Sequence, residues 1–405
     1  MLMNLSVIEK IDKYGLCLGC GLCESVFGKE NLEMRLGEDG FFHPKIKNHD
    51  EEKEKIIQKT CPGLNIINDI PFEKNEMVWG HIEQLSAGYS LDQEIRTKGS
   101  SGGIVSAIGI FMLESGKADA VLQIGGDAAD YLRNQLQVSK TREEVLRCAS
   151  SKYAPALVFN NILKLFEENE DRYCFIGKPC DISALKNILA EYPQYSARIV
   201  LTVSIMCAGI PSFIGTKAII TDFHAKEPVH NLSYRGGGWP GYFTFTDSLK
   251  KTFKRTYNDS WGKTLNQHLH FRCKVCPEGI GIQADIAVGD AWETKDGYPD
   301  FTEKEGVSLV IARTLRGKDL LSESEKMRKM SFVPQKIQSL RLMQPYQYTR
   351  RTRAASRRFA FFLATGVKLN FRNLRLYETL WLTKKHLILK DAWGTFKRVI
   401  KFRRR

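Results

Sequence analysis

Apolar residues gather in short runs whose length and period differ. Residues 104–115 are almost uninterruptedly apolar over three helical turns, which predicts a buried helix. Residues 118–124 and 172–176 are short apolar runs of strand length, and 198–206 is a third. Between the last two, 181–192 carries a helical pattern opening on Asp181, which predicts an Asp-capped helix. Strand, helix and strand at this spacing predict a βαβ unit with parallel strands. Residues 1–70 hold little apolar material of their own. From about residue 327 the pattern turns helical, basic and aromatic, and Trp393, Phe396 and Ile400 fall at helical spacing with Lys397, Arg398 and Lys401 around them. No internal repeat is evident.

Composition sharpens this picture in two places. The chain has 405 residues, of which 43% are hydrophobic, enough for two or three folded domains and too many for a disordered chain. The net charge of +14 is uneven. Residues 346–405 hold seventeen Lys and Arg against Glu378 and Asp391, while the first 345 residues hold 43 basic and 44 acidic side chains. One basic tail points to a local anionic partner, such as a membrane surface, or to a helical tail packed on the body with solvated charges. Nucleic acid is disfavoured, since no recognised binding fold accompanies the charge. The runs at 199–210 and 359–367 are too short to cross a bilayer. The first seventeen residues show no secretion signal, so a reducing, cytoplasmic setting is expected, with a peripheral position on the inner face of the membrane if the tail anchors. Ten cysteines in that setting read as metal ligands before disulfides.

Cys17, Cys20 and Cys23 follow one another at strict two-residue gaps, with Gly19 and Gly21 between them. That is the start of a ferredoxin run, in which three thiolates wrap one cubane. The next ferredoxin position is occupied by Phe27, so a fourth ligand must come from elsewhere, and Cys61, followed by Pro62, is the candidate. Structural zinc takes four thiolates too and is the alternative. A second set is assembled from three segments. Cys180 follows the strand at 172–176, Cys207 ends the strand at 198–206, and Cys273 and Cys276 form a metal-type pair. Parallel strands end at one sheet edge, so Cys180 and Cys207 should lie together within reach of that pair. Cys148 and Cys174 read as core residues. The expected architecture is therefore α/β within an α+β chain. It comprises a small ferredoxin-like module over 1–75, an α/β body over 76–345 and a basic helical tail over 346–405.

Lys98, Gly99, Ser100, Ser101, Gly102 and Gly103 precede the predicted helix at 104–115. Small residues at a helix start suit a phosphate or pyrophosphate, although neither the Walker nor the Rossmann pattern is met; an ordinary helix start reads equally well. His268 and His270, beside the Cys273 loop, are acid–base candidates, with solvated or core histidines the plainer reading.

These residues together resemble the beta-subunit family of coenzyme F420-reducing hydrogenases and dehydrogenases, which includes plant 7-hydroxymethyl chlorophyll a reductase. The likeness rests on Cys17 to Cys23, Ser90 to Arg96, Lys98 to Gly103, Ser151 to Tyr153, Gly177 to Cys180, Cys207 to Ser212, and Cys273 through Trp292, in family order over about residues 12–320. The resemblance implies FAD near Lys98–Gly103, Lys152 and Tyr153, and 4Fe-4S clusters on both cysteine sets. It further implies hydride exchange at the flavin. Lys178 stands where a threonine is expected and Ala208 where a histidine is usual, so the substrate is left open. Clusters pass one electron at a time and a flavin one or two. The expected function is therefore an oxidoreductase linking a ferredoxin-like carrier to a small organic hydride acceptor. An electron-transfer subunit without its own substrate and a zinc-stapled membrane-surface protein are the rival readings.

Overall fold

The computed structural model describes residues 5–127 and 130–403. Its centre is an eight-stranded sheet built from β1 (Gln84–Ser90), β2 (Ala120–Gly126), β3 (Asn134–Ser139), β4 (Tyr173–Gly177), β5 (Ile199–Ile205), β6 (Ile286–Asp290), β7 (Ser308–Ala312) and β8 (Met330–Pro334). The spatial order is β8-β1-β7-β6-β5-β4-β2-β3. Strands β2, β4, β5 and β6 are mutually parallel, and the remaining pairings are antiparallel.

Alternate strand residues serve opposite faces of the sheet. Val121, Ile176, Val203, Val288 and Val310 face one core with Ile104, Ile108 and Phe111 of α1 (Ile104–Glu114) and Leu320 and Leu321 of α3 (Leu315–Lys326). Leu122, Phe175, Ala287 and Leu309 face the other, which contains Ile182, Leu185 and Ile188 of α2 (Pro179–Glu191). Both faces are covered, which is why the strands read as continuous apolar runs.

The expected βαβ unit is present: β4 and β5 pair in parallel, and α2 is the crossover between them. Helix α2 begins earlier than Asp181, however. Lys178 is the cap residue, Pro179 opens the helix, and Asp181 sits in the first turn, where its carboxylate accepts from the Lys178 amide at 2.9 Å. Proline suits that first position because it has no amide hydrogen to leave unpaired.

The N-terminal segment forms the helices Val7–Lys13, Leu22–Phe27 and Glu51–Thr60, a hairpin of Leu32–Leu36 with Phe42–Ile46, and the strand Asn65–Ile67. Its apolar residues Leu16, Leu22, Phe27, Leu32 and Ile57 join the body's core. The C-terminal segment contains α4 (Pro345–Thr352), α5 (Ala354–Thr365), the strand Asn370–Arg372 and α6 (Lys385–Arg403). That strand pairs in parallel with Asn65–Ile67, and Phe402 stacks on Phe271, so the two ends of the chain interlock.

Candidate functional site

The parallel strands β2, β4, β5 and β6 end at Gly126, Gly177, Ile205 and Asp290, on one edge of the sheet, where α/β folds collect their sites. Every segment singled out in the body reaches this edge. Gly177 leads into Lys178 and Cys180. Cys207 follows β5. Gly102, buried behind β1, donates its amide to Ser308 at the start of β7. The hairpin strands Tyr242–Thr246 and Thr252–Thr256 lie between β5 and β6 in sequence and lead to the loop bearing Cys273 and Cys276.

Cys17, Cys20, Cys23 and Cys61 line one apolar cavity with Ile8, Ile11, Leu22 and Pro62. Gly19 and Gly21 adopt φ values of +67° and +82°, which non-glycine residues avoid, so the tight cysteine loop requires them. The loop docks on the body through Cys20, whose carbonyl accepts from the Val158 and Phe159 amides at 2.9 and 2.8 Å. Burial first, then Cys61, pushes the Cys20 thiol up to about 12, and burial likewise raises Cys17 and Cys23. Thiols in this setting stay protonated until a metal takes the proton's place.

The members of the second set lie near enough to act on one another electrostatically. Cys180 is raised by burial and by Asp181, with Cys207 and Cys276 contributing. Cys207 is pushed up to about 12 by burial, with Cys273 adding to it, and Cys273 is raised by burial and by Cys276. Buried Glu278 accepts the amides of Ile280, Gly281 and Ile282 and so closes the turn after Cys276. Among the described residues, no three His, Cys, Asp or Glu side chains converge tightly enough to hold a single metal ion. Four thiols suit either an iron–sulfur cluster or a structural zinc, and apolar walls surround the first set. Cys174 is fully buried in β4, as expected of a core residue, and Cys148 is half-buried beside Gly125.

The two sets are neighbours. Lys178 pairs with Asp181 at 2.7 Å, and both act electrostatically on Cys20 of the first set and on Cys180 of the second. Arg272, buried next to Cys273, donates to the carbonyls of Gly63 and Pro62 at 2.7 and 3.1 Å and ties the second set's loop to the turn holding Cys61. His270 is buried against Phe41 and accepts the Arg272 amide on Nδ1. Burial holds its pKa down at about 4, and its ring caps the Cys273 helix. His268 packs on Gly215.

Gly103 begins α1 with φ of +75°, and the helix start has no side-chain cap and no acidic residue in its first turn. Ser100 Oγ accepts from the Ser151 amide at 2.6 Å, so the Gly99–Gly103 loop and the segment bearing Lys152 and Tyr153 are joined. Lys152 is the better-placed cation of the two predicted. Its ammonium donates to the carbonyls of Cys148, Ala149 and Ser150, and burial lowers its pKa to about 8. Lys98 instead reaches Glu94 at 2.9 Å on an exposed helix face. An uncapped helix start beside a half-buried cation with no carboxylate partner among the described residues is a charge arrangement that fits a pyrophosphate.

One cluster escaped the sequence reading. Arg235 makes a two-pronged pair with Asp290 at 2.6 and 2.9 Å, and the Trp239 indole donates to the same carboxylate at 2.7 Å. Trp239 stacks on Trp292 at 4.8 Å, and the Arg235 guanidinium lies over Tyr257 and Trp292. Tyr153 packs beside it against Trp261, the rings tilted at 43° with centroids 4.6 Å apart. The signal was present in the Gly-rich stretch after Arg235 and in Asp290 at a strand end, but 55 residues separate the partners. Arg350 of α4 was read only as tail charge. It donates to the carbonyls of Cys207 and Ala208 at 3.0 and 2.6 Å and holds the turn that presents Cys207.

Comparison with known proteins places this arrangement. Two family models match: the N-terminal part of the coenzyme F420 hydrogenase/dehydrogenase beta subunit over residues 85–164, and its C-terminal part over 170–345. The first cysteine set and the basic tail lie outside both matches. The chain is 26% identical to a coenzyme F420 hydrogenase subunit beta of Methanococcus voltae, covering 61% of this chain and 82% of that protein. It is 25% identical to an F420-dependent formate dehydrogenase 1 subunit beta of Methanococcus maripaludis, covering 58% of this chain and 57% of that one. Against a coenzyme F420-dependent sulfite reductase of Methanocaldococcus jannaschii the identity is 23%, and the chain spans 38% of that protein. Among solved structures, a chain of the F420-reducing [NiFe] hydrogenase complex from Methanosarcina barkeri shares the fold, with a TM-score of 0.51, 20% identity, and coverage of 73% of this chain and 96% of that one. The sheet edge that gathers four cysteines lies within the two matched regions, and on those matches the chain belongs to the coenzyme F420 hydrogenase/dehydrogenase beta-subunit family.

Proposed function

We propose that the protein is a cytoplasmic iron–sulfur flavoprotein that passes electrons between a ferredoxin-like carrier and a small organic hydride acceptor or donor. That it is an oxidoreductase follows from its relatives, which are subunits of F420-dependent hydrogenase and formate dehydrogenase and an F420-dependent sulfite reductase. The observation carrying the finer reading is the adjacency of the two cysteine sets across Lys178 and Asp181, at the sheet edge that also holds the Gly99–Gly103 loop and Lys152.

In this reading Cys17, Cys20, Cys23 and Cys61 hold one 4Fe-4S cluster, and Cys180, Cys207, Cys273 and Cys276 hold the other. The α1 start, with Gly99, Ser100, Ser101, Gly102 and Gly103, would hold the FAD pyrophosphate, and Lys152 would neutralise it. Tyr153 lies against the aromatic wall, and Lys98 contributes only at long range. When bound, these groups exchange a hydride with the substrate at the flavin and single electrons through the clusters. The protein's own part is to orient them and exclude water. Arg235 and Asp290 fix the wall formed by Trp239, Trp292 and Tyr257, and Arg350 and Glu278 fix the turns bearing Cys207 and Cys276. The segments 1–75, 76–345 and 346–405 are proposed to act as one interlocked unit. The F420 deazaflavin named for the relatives is the first acceptor to try.

Anaerobic purification tests the proposal. The protein should be brown, with about eight iron atoms per chain and released FAD, and Cys20→Ala and Cys276→Ala should each remove about half the iron. Stoichiometric zinc without iron overturns it. A second reading, an electron-transfer subunit without its own substrate, is favoured by the match to a chain from a multi-subunit complex. Failure of the isolated holoprotein to turn over F420, with clusters and flavin present and mutually reducible, selects that reading.

A further inference from the structure

We propose that the outward face of α6, together with Trp381 and Leu382 before it, seats the protein on an anionic bilayer surface without spanning it. Helix α6 has two distinct faces. Asp391, Thr395, Val399 and Phe402, at spacings of four, four and three, point to the protein. Asp391 pairs with Arg353 and Arg357, Thr395 and Val399 are buried, and Phe402 stacks on Phe271. Rotated about 200° from these are Leu389, Trp393, Lys397 and Ile400. Leu389 is 71% exposed and Trp393 59%, and Trp381 is 87% exposed. The helix has therefore satisfied its packing face and still presents an apolar stripe to solvent, which a solvated helix does not need.

The charge on this surface selects the occupant. Lys384, Lys385, Lys390, Lys397 and Lys401 are exposed on or beside the stripe. The only acids of the tail are both engaged, Asp391 as above and Glu378 with Arg375 at 2.6 Å. Protein interfaces deplete lysine at their core, whereas a lysine-rich helix carrying Trp and Leu on one face is the pattern of helices that lie in the bilayer interface. Among the described residues no helix is long and apolar enough to cross a membrane, so the contact is peripheral.

The test uses the full-length holoprotein and flotation with vesicles of phosphatidylglycerol mixed with phosphatidylcholine, against phosphatidylcholine alone. Binding should require phosphatidylglycerol, be released by high salt, and blue-shift the tryptophan fluorescence. Lys397→Glu with Lys401→Glu should weaken it at least about twenty-five-fold, at about fivefold per lysine lost. Trp381→Ser with Trp393→Ser should weaken it about tenfold. All four side chains are exposed, so the cluster absorbance and melting temperature should stay unchanged in both variants. The proposal is overturned if the intact protein does not float with phosphatidylglycerol vesicles, or if neither variant alters flotation. It is equally overturned if the tryptophan variant leaves flotation intact and converts an oligomer to a monomer, which would make this face an interface between copies.

Discussion

At the scale of single residues, the cysteines depend on neighbours that carry no redox chemistry. Arg350 satisfies two carbonyls at the turn bearing Cys207. Truncating it removes the charged donor from both, leaving Cys207 O to Gln347 Nε2 at 3.0 Å and Ala208 O to the Tyr346 hydroxyl at 3.3 Å, at roughly 1–3 kcal/mol. Arg350→Ala should lower the melting temperature and lose iron from the second set while the first stays loaded. Lysine should rescue only in part, because it lacks the planar fork. Gly21 is constrained twice, by φ of +82° and by the Asn160 backbone, which a Cβ would approach to 2.9 Å. Gly21→Ala should therefore cost iron at the first set, reducing the iron-to-protein ratio to about half. His43 bridges Asp12 and Asp39 at 2.6 and 3.0 Å, and these bonds push its pKa up to about 10. A raised histidine pKa stabilises fully below the unfolded value near 6.5 and loses that contribution as pH rises through about 10. Since the pair is about one-third exposed, its contribution is about 1 kcal/mol. Thermal unfolding of His43→Gln should show that deficit at pH 6, with the difference from the parent shrinking as pH rises from about 6.5 and gone above about pH 10.

At the scale of elements, the basic tail is part of the folded unit. Its strand Asn370–Arg372 pairs with Asn65–Ile67, and Phe361 and Phe402 cover Phe271 beside the Cys273 helix. The packed-tail reading of the sequence thus describes its inner face, and the exposed stripe of α6 is additional to it. A truncation ending at Pro345 would remove a strand partner, the Arg350 fork and that aromatic cover together. It should give insoluble protein, or protein that has lost iron from both sets, measurable by iron content in the soluble fraction. Full iron retention would mean that these contacts contribute nothing to the sites. Point changes on the outward face of α6 are for this reason the sharper probe of membrane binding.

At the scale of the whole molecule, the two cysteine sets and the proposed flavin site lie at or next to one sheet edge, with Lys178 and Asp181 between the sets. This ordering predicts a sequence of events. On mixing with dithionite, cluster absorbance should bleach before flavin absorbance in rapid-mixing spectroscopy. Cys207→Ala should slow flavin bleaching while first-set bleaching persists. Equal flavin rates in the two proteins would remove the second set from the path.

What the sequence by itself determined were features encoded locally. The two-residue gaps among Cys17, Cys20 and Cys23 and the apolar runs of α1, β4 and β5 depend only on nearby residues and on the period of burial. The convergence of Cys180 and Cys207 was also legible, because parallel pairing forces two successive strands to end on one edge. Even locally one signal was misread: Pro179, and not Asp181, marks the start of α2, since a proline fits the first helical position without losing a hydrogen bond. Only the tertiary structure decided the rest. Arg235 meets Asp290 because an inserted hairpin folds back over the end of β6, and no periodicity links positions so far apart. It likewise separated Lys152, half-buried with no acidic partner among the described residues, from Lys98, paired with Glu94, although both are lysines beside small residues. It divided the tail's cations between Arg350, spent on backbone carbonyls, and the exposed lysines of α6. Net charge is a sum over composition, whereas burial and partner assignment depend on which surfaces the fold brings together.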